Sequence, residues 1–413
     1  MPKIKHSTAL IFALMLTFFL DFVGLFMVYP IFAPLFLQTN TLLAPSSSYF
    51  TRTFVIGALS ASYGLGQFFG GPLLGELSDQ FGRKRILILG LAVLIIGNLL
   101  GVWALLANLL FMLFVCRFLT GIASGNASVI FAAISGLSTE SHLRGIYMGY
   151  LTGAAAIGCV IAPLVGSYLS NPNLVIWFSW YTPFLFMAII FLLNLLMIIY
   201  FYHDTGTYQR RPLKITTSFQ NIIECFTFPN VRIMLIAYFL IVLSTESTFA
   251  GLPIFAVEKF KVTPNWLGHL FAYGSILAAF GSFYLNKKLS QKMTSGAIIA
   301  ILGAILVLGY VFYFVTPTKN WLYLGYGFVG LTCAAIWAQL NAIIAGMVAE
   351  NIQGKVLGVT QSLLSLSIII GPTLIGIVAA AHYNFIVFLS LISGLAGWLV
   401  FLWLYFQNRT SPI

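Results

Sequence analysis

Apolar residues run in stretches of about 20 or more, separated by short clusters of charged and turn-forming residues, as in helices that cross a hydrocarbon layer. The charge-free intervals act as a ruler. Residues 53–75, 262–286 and 293–318 each fit one crossing, whereas 145–203 and 356–408 fit two, with the turn residues Asn171-Pro172-Asn173 and His382-Tyr383-Asn384 inside them. The pattern predicts about twelve spans, at 8–37, 53–75, 84–105, 109–133, 145–169, 176–201, 231–256, 264–285, 294–315, 320–346, 355–379 and 384–406. An even number of crossings returns both termini to one side.

Composition agrees. Charged residues are 7% of the 413-residue chain, against roughly 25% in soluble domains. With 60% hydrophobic residues and a mean hydropathy of +0.99, the chain has more apolar surface than one aqueous globule can bury, so its main partner is a lipid bilayer. Lys3, Lys5, Arg83, Lys84, Arg85, Lys287, Lys288 and Lys292 fall on one side of the predicted topology, with Arg52, Lys259, Lys261 and Lys319 opposite. The positive-inside rule makes the richer side, and both termini, cytoplasmic. The net charge of +11 thus follows from topology and attraction to anionic lipid heads, and implies no nucleic-acid partner. The first span follows Lys3 and Lys5 as a signal peptide would, but it lacks a small-residue cleavage site and is long enough to remain as a helix. Cys116, Cys159, Cys225 and Cys333 lie far apart without metal-ligand spacing, so neither a disulfide framework nor a metal site is expected.

The longest polar connection, with Asp204, Arg210, Arg211, Lys214 and Glu224, divides the spans into six and six. The expected organisation is an N-terminal six-helix bundle at 1–201, a cytoplasmic linker at 202–230 and a C-terminal six-helix bundle at 231–413. The halves resemble each other. At an offset of 209 residues Gly121, Gly145, Gly149 and Pro163 meet Gly330, Gly354, Gly358 and Pro372. At an offset of 223, Pro30-Ile31-Phe32-Ala33 recurs as Pro253-Ile254-Phe255-Ala256. Gly and Pro are common in membrane helices, but two alignments in the same order favour a duplicated unit, which would place a site near the midplane between the halves.

Between spans 2 and 3 the chain reads Gly75-Glu76-Leu77-Ser78-Asp79-Gln80-Phe81-Gly82-Arg83-Lys84-Arg85. Gly75 and Gly82 allow close approach and a tight turn, and Asp79 with Arg83 offers a charged latch of the kind a rocking carrier needs. The segment resembles the signature loop of the major facilitator superfamily. That resemblance implies an all-α membrane protein with twelve transmembrane helices in two pseudo-symmetric six-helix bundles, expected as a monomer. Three further elements resemble those of drug and metabolite proton antiporters within the superfamily: Asp21-Phe22-Val23-Gly24 followed by Pro30, Arg117 with Gly121 and Gly125, and Gly158 with Pro163 and Gly166. The glycines after Arg117 recur at i+4 and i+8, which lets a neighbouring helix pack close. Departures are Gln80 where the loop usually has Arg, Ala162 before Pro163, and Gly136 near a position where many relatives carry an acid. Loss of that acid weakens the case for a charge relay from Arg83.

Only Asp21, Arg117 and Glu246 sit deep inside predicted spans, where a charge costs several kcal/mol unless paired or hydrated. Asp21 lies about twelve residues into the first span, roughly 18 Å deep at ~1.5 Å per residue. Two roles stand for it: a proton-coupling carboxyl, or half of a static ion pair with Arg117. For Arg117 a structural role stands beside one in proton relay. Glu246 lies two residues past Ser244, the position the 223 offset pairs with Asp21, so it either binds cargo or protons or faces a sister helix. Gln67, Asn126, Gln339 and Gln361 are candidates either for the pocket or for bridging helices, and Tyr29, Tyr63 and Trp337 are candidates to stack on an organic substrate.

The sequence has no reactive constellation for an enzyme and no phosphate-binding loop for ATP-driven pumping: Gly354-Lys355 is followed by Val356 without the upstream Gly. A secondary carrier remains, with no cofactor and the proton gradient as its energy source. By the resemblance it exports a small organic compound, a drug, siderophore or metabolite, in exchange for protons. Uptake of a nutrient or amino acid by proton symport is the competing reading. A short N-terminus and compact loops point to a bacterial inner membrane.

Overall fold

The computed structural model describes residues 3–137, 141–202, 226–227 and 229–410. These are helices joined by short connections, with no strand among the described residues. The expected linker falls almost wholly outside them, as does Cys225.

Helices are α1 (Lys3–Phe26), α2 (Tyr29–Gln38), α3 (Tyr49–Phe81), α4 (Arg83–Leu106), α5 (Leu110–Ala123), α6 (Asn126–Leu137), α7 (Ser141–Leu169) and α8 (Thr182–Phe201). They continue as α9 (Pro229–Phe260), α10 (Pro264–Phe280), α11 (Asn286–Ser290), α12 (Ser295–Val315), α13 (Trp321–Gly346), α14 (Glu350–Ala379) and α15 (Asn384–Thr410). Each predicted span coincides with helix. Among the described residues, ten stretches are long and apolar enough to cross a membrane by length and composition. The other two expected spans have local reasons to fall short. The 33-residue α3 is diluted by Gly57, Gly64, Gly66, Gly70, Gly71 and Gly75. The 17-residue α10 runs through a π-helical turn, Gly281–Leu285, into α11.

Two spans expected as single helices are broken. The first divides at Met27–Val28 because Pro30 has no N–H to bond backwards and suits the first turn of a new helix. The fourth divides at Ser124–Gly125, where Ser124 Oγ donates to the Gly121 carbonyl and Gly125 N to that of Ile122, tightening the turn. The sixth begins at Thr182 rather than 176, after an irregular stretch that ends at Pro183 in the first turn of α8.

The chain forms two compact units. The first comprises Met1–Ser46 and Ser62–Ile215, the second Ser47–Ala61 and Thr216–Ile413, so α3 is one helix shared between them.

Within lipid no hydrophobic force draws apolar helices together, and close packing of small residues does that work. In the first unit α5 lies backbone to backbone on α3: a Cβ at Gly121 would sit on the Tyr63 carbonyl, one at Gly125 on Gly70, and one at Gly66 on Phe118. In the second unit a Cβ at Gly330 of α13 would meet the Gly274 backbone of α10. Gly121 and Gly330 are the pair matched by the 209-residue offset, and each closes its own unit in the same way. Polar clasps add to this packing: Thr17 Oγ1 donates to Asn194 Oδ1 at 2.8 Å in the first unit, and Trp398 Nε1 to the Ala300 carbonyl at 3.0 Å in the second.

In the second unit the first turns of α3 lie against α14. Thr53 Oγ1 donates to the Gly376 carbonyl at 2.8 Å, and a Cβ at Gly57 would sit on the Pro372 carbonyl.

Candidate functional site

Asp21 of α1 and Arg117 of α5 line one cavity in the first unit, together with Tyr63 of α3, Asn98 of α4, Thr120 of α5 and Phe184 and Phe191 of α8. It has room for about one water molecule. Asp21 is 7% exposed and Arg117 2%. They form no ion pair: neither carboxylate oxygen of Asp21, nor Nε of Arg117, has a hydrogen-bond partner among the described residues. The guanidinium is held by aromatic faces, with its central carbon 4.5 Å from the Tyr63 ring centroid and 5.9 Å from that of Phe32. In a desolvated setting such cation–π contacts contribute about 2 kcal/mol.

The static Asp21–Arg117 pair is therefore not formed. An isolated carboxylate is strongly disfavoured away from water, so the geometry suits a carboxyl group that binds and releases a proton.

The remaining expected residues are dispersed. Tyr29 is buried at the start of α2, in tilted ring contact with Phe26. Gly158 and Gly166 of α7 face α1, where a Cβ would meet the Phe19 and Met27 carbonyls, and Pro163 lies inside the same helix. Asn126 is fully buried with its amide against Gly90 and no hydrogen-bond partner, and Gln67 is half-buried with Oε1 unpartnered. Neither lines the Asp21 cavity.

In the signature loop, α3 ends at Phe81 and α4 starts at Arg83, so the chain reverses at Gly82 alone, whose φ of 101° only glycine adopts without strain. Gly75 faces Ser128, its carbonyl accepting from Ser78 Oγ. Lys84 Nζ donates to the Ile199 carbonyl in the last turn of α8, satisfying an open helix end. Asp79 is exposed and makes no ion pair with Arg83.

In the second unit Glu246 is 4% exposed within Ser244–Thr248, all buried. Gln339 Nε2 donates to Asn286 Oδ1 at 2.6 Å and to Ser290 Oγ at 2.9 Å, bridging α13 to α11. Trp337 is half-buried with Nε1 unpartnered, and Gln361 is exposed.

Sequence reasoning did not single out Thr120, Phe184 and Phe191 as cavity walls. The available signals were Thr120 at i+3 from Arg117, and the seven-residue spacing of Phe184 and Phe191, both of which keep side chains on one helix face.

Comparison with known proteins agrees with this architecture. The family model for the Major Facilitator Superfamily matches residues 14–329 and 234–412. The chain is 28% identical to tetracycline resistance protein class C of Escherichia coli, covering 96% of each. It is 27% identical to tetracycline resistance protein class H of Pasteurella multocida, over 86% of this chain and 88% of that one. The crystal structure of the nucleoside transporter NupG superimposes with a TM-score of 0.75 at 15% identity, covering 96% of this chain and all of that one, which speaks to the fold alone. A multi-pass helical chain matched along most of its length by this model belongs to the major facilitator superfamily and is a secondary transporter rather than an enzyme.

Proposed function

We propose that the protein exports small organic compounds, drugs among them, across a bacterial inner membrane in exchange for protons, with Asp21 as the proton-coupling carboxyl. The observation that carries this is a carboxyl group buried mid-span, neither ion-paired nor hydrogen-bonded, beside a cavity sized for water. Two of the relatives are named for resistance to tetracycline, and a third, from Bacillus subtilis (strain 168), for multidrug resistance at 25% identity.

In the proposed cycle Asp21 holds a proton while its cavity is closed. Opening to water on the cytoplasmic side lets the carboxylate form, and cargo entry or reprotonation from the opposite side resets it. Arg117, fixed by Tyr63 and Phe32, supplies a positive field that makes the ionised form accessible once water enters. The expected six-helix bundles at 1–201 and 231–413 alternate access around the 202–230 linker, with both termini cytoplasmic, and the protein works as a monomer.

Everted inner-membrane vesicles with an imposed proton gradient test this. Adding tetracycline to vesicles containing the protein is expected to collapse the gradient, reported by a pH-sensitive dye, and to fill the vesicles with drug. Drug entry without proton movement would overturn the coupling. Loss of drug from preloaded vesicles, driven by the gradient, would make the protein an importer.

A further inference from the structure

We infer that Glu246 is a second proton-carrying carboxyl, housed in the C-terminal unit, so that each transport cycle moves two protons. The inference rests on the proton-coupled reading above and deepens it.

Glu246 stands at the middle of its span. It lies fifteen residues from Val231 and fourteen from Phe260, or about 22 Å and about 21 Å along the helix at ~1.5 Å per residue. No described Lys or Arg pairs with it. The titratable groups that face it are Tyr238 of α9, Tyr310 of α12 and Cys333 of α13, none of which carries positive charge. The other helices packed on α9, α14 and α15, carry ionisable residues only towards their ends: Glu350 and Lys355, and Tyr405 and Arg409.

Ser247 Oγ is buried without a partner and makes no bond to the Glu246 carboxyl, and other nearby hydrogens are directed elsewhere. Ser244 Oγ donates to the Ile241 carbonyl at 2.7 Å, Thr245 Oγ1 to that of Val242 at 2.9 Å, and Thr248 Oγ1 to that of Ser244 at 2.8 Å. Tyr310 OH donates to Ser244 Oγ at 3.0 Å, and Cys333 Sγ to the Gly330 carbonyl at 3.5 Å. A hydroxyl has one hydrogen to give and lone pairs to spare. This surrounding offers lone pairs to a carboxylic acid, and none of these groups donates a hydrogen bond to the Glu246 carboxyl. It is built for the protonated form, and the acid can lose its proton only when water reaches it. The step transfers H⁺ alone, from the carboxyl oxygen to water on one face and back from water on the other. By contrast, Asp21 shares its cavity with a fixed guanidinium, so the two carboxyls answer to different surroundings and titrate separately.

Infrared spectroscopy of the purified full-length protein in liposomes tests this with protons as the only ligand, following the carbonyl stretch of protonated carboxyl groups from about pH 4 to about pH 10. Wild-type protein is expected to lose that absorbance in two buried-carboxyl steps. Glu246→Gln should remove one step and keep the other, Asp21→Asn should do the reverse, and in the vesicle assay Glu246→Gln should lower protons moved per tetracycline twofold. If Glu246→Gln misfolds, Glu246→Asp serves, with its step displaced instead of lost. A spectrum unchanged by either Glu246 variant would overturn the second site and leave the Asp21 reading intact. Loss of neither step in Asp21→Asn, with transport preserved, would overturn the coupling reading itself.

Discussion

Asp21→Asn should abolish gradient-driven transport while leaving the protein folded. The carboxyl is mid-span, both oxygens lack partners, and the nearest cation is engaged by aromatic rings and forms no salt bridge with it. No ion pair is lost when the charge is removed, so the structural penalty of a broken buried pair, about 3–5 kcal/mol, does not apply. Asparagine has nearly the same shape and stays neutral at every pH. Folding stability is therefore expected to stay within about 1 kcal/mol of wild type, while proton exchange driven by tetracycline in everted vesicles falls to background. The unfolding midpoint of the purified variant reads the first quantity and the dye response the second. A variant that misfolds would point to a structural carboxylate; one that folds and couples normally would remove Asp21 from the mechanism.

The largest stability effect is expected at Gly121. Its missing side chain lets α5 rest on the backbone of α3, and a Cβ there would occupy the position of the Tyr63 carbonyl oxygen. Backbone in a packed helix pair cannot step aside as a flexible side chain can. Gly121→Val should therefore force the helices apart and cost about 3 kcal/mol or more, besides displacing Tyr63 from under Arg117. The folded fraction in a fluorescence-detected size-exclusion trace should collapse, as it should for Gly330→Val in the second unit, whose Cβ would meet Gly274. Gly149→Ala and Gly358→Ala provide the contrast: nothing lies within 4 Å of a Cβ at either position, and alanine suits a helix interior by roughly 0.5–1 kcal/mol. Equal loss across all four variants would mean that helix propensity, rather than close approach, governs these positions.

The spans were readable because lipid offers the backbone no hydrogen bonds, so every crossing must be one unbroken run of apolar residues. Their internal breaks were less so. Pro30 announces the division after Met27, but the break at Ser124–Gly125 depends on a serine hydroxyl bonding back to its own helix, and the π-turn at Gly281–Leu285 has no composition of its own. The same contrast holds at the candidate site. Asp21, Arg117 and Glu246 stood out because each is an isolated charge in an apolar run. Phe184 and Phe191 did not, since a phenylalanine facing a cavity reads the same as one facing lipid. Gln339 is the converse: a polar side chain in a span that the sequence leaves open between pocket and helix bridging, whose amide is taken up by Asn286 and Ser290 through contacts that only the folded unit creates.

Every wall of the Asp21 cavity comes from the same unit. Under the proposed mechanism the Asp21 proton step is thus inherited as a block. Substitutions outside that block can retune which molecules are expelled without disturbing that step, a division that would favour rapid diversification of cargo among paralogues under changing chemical threats.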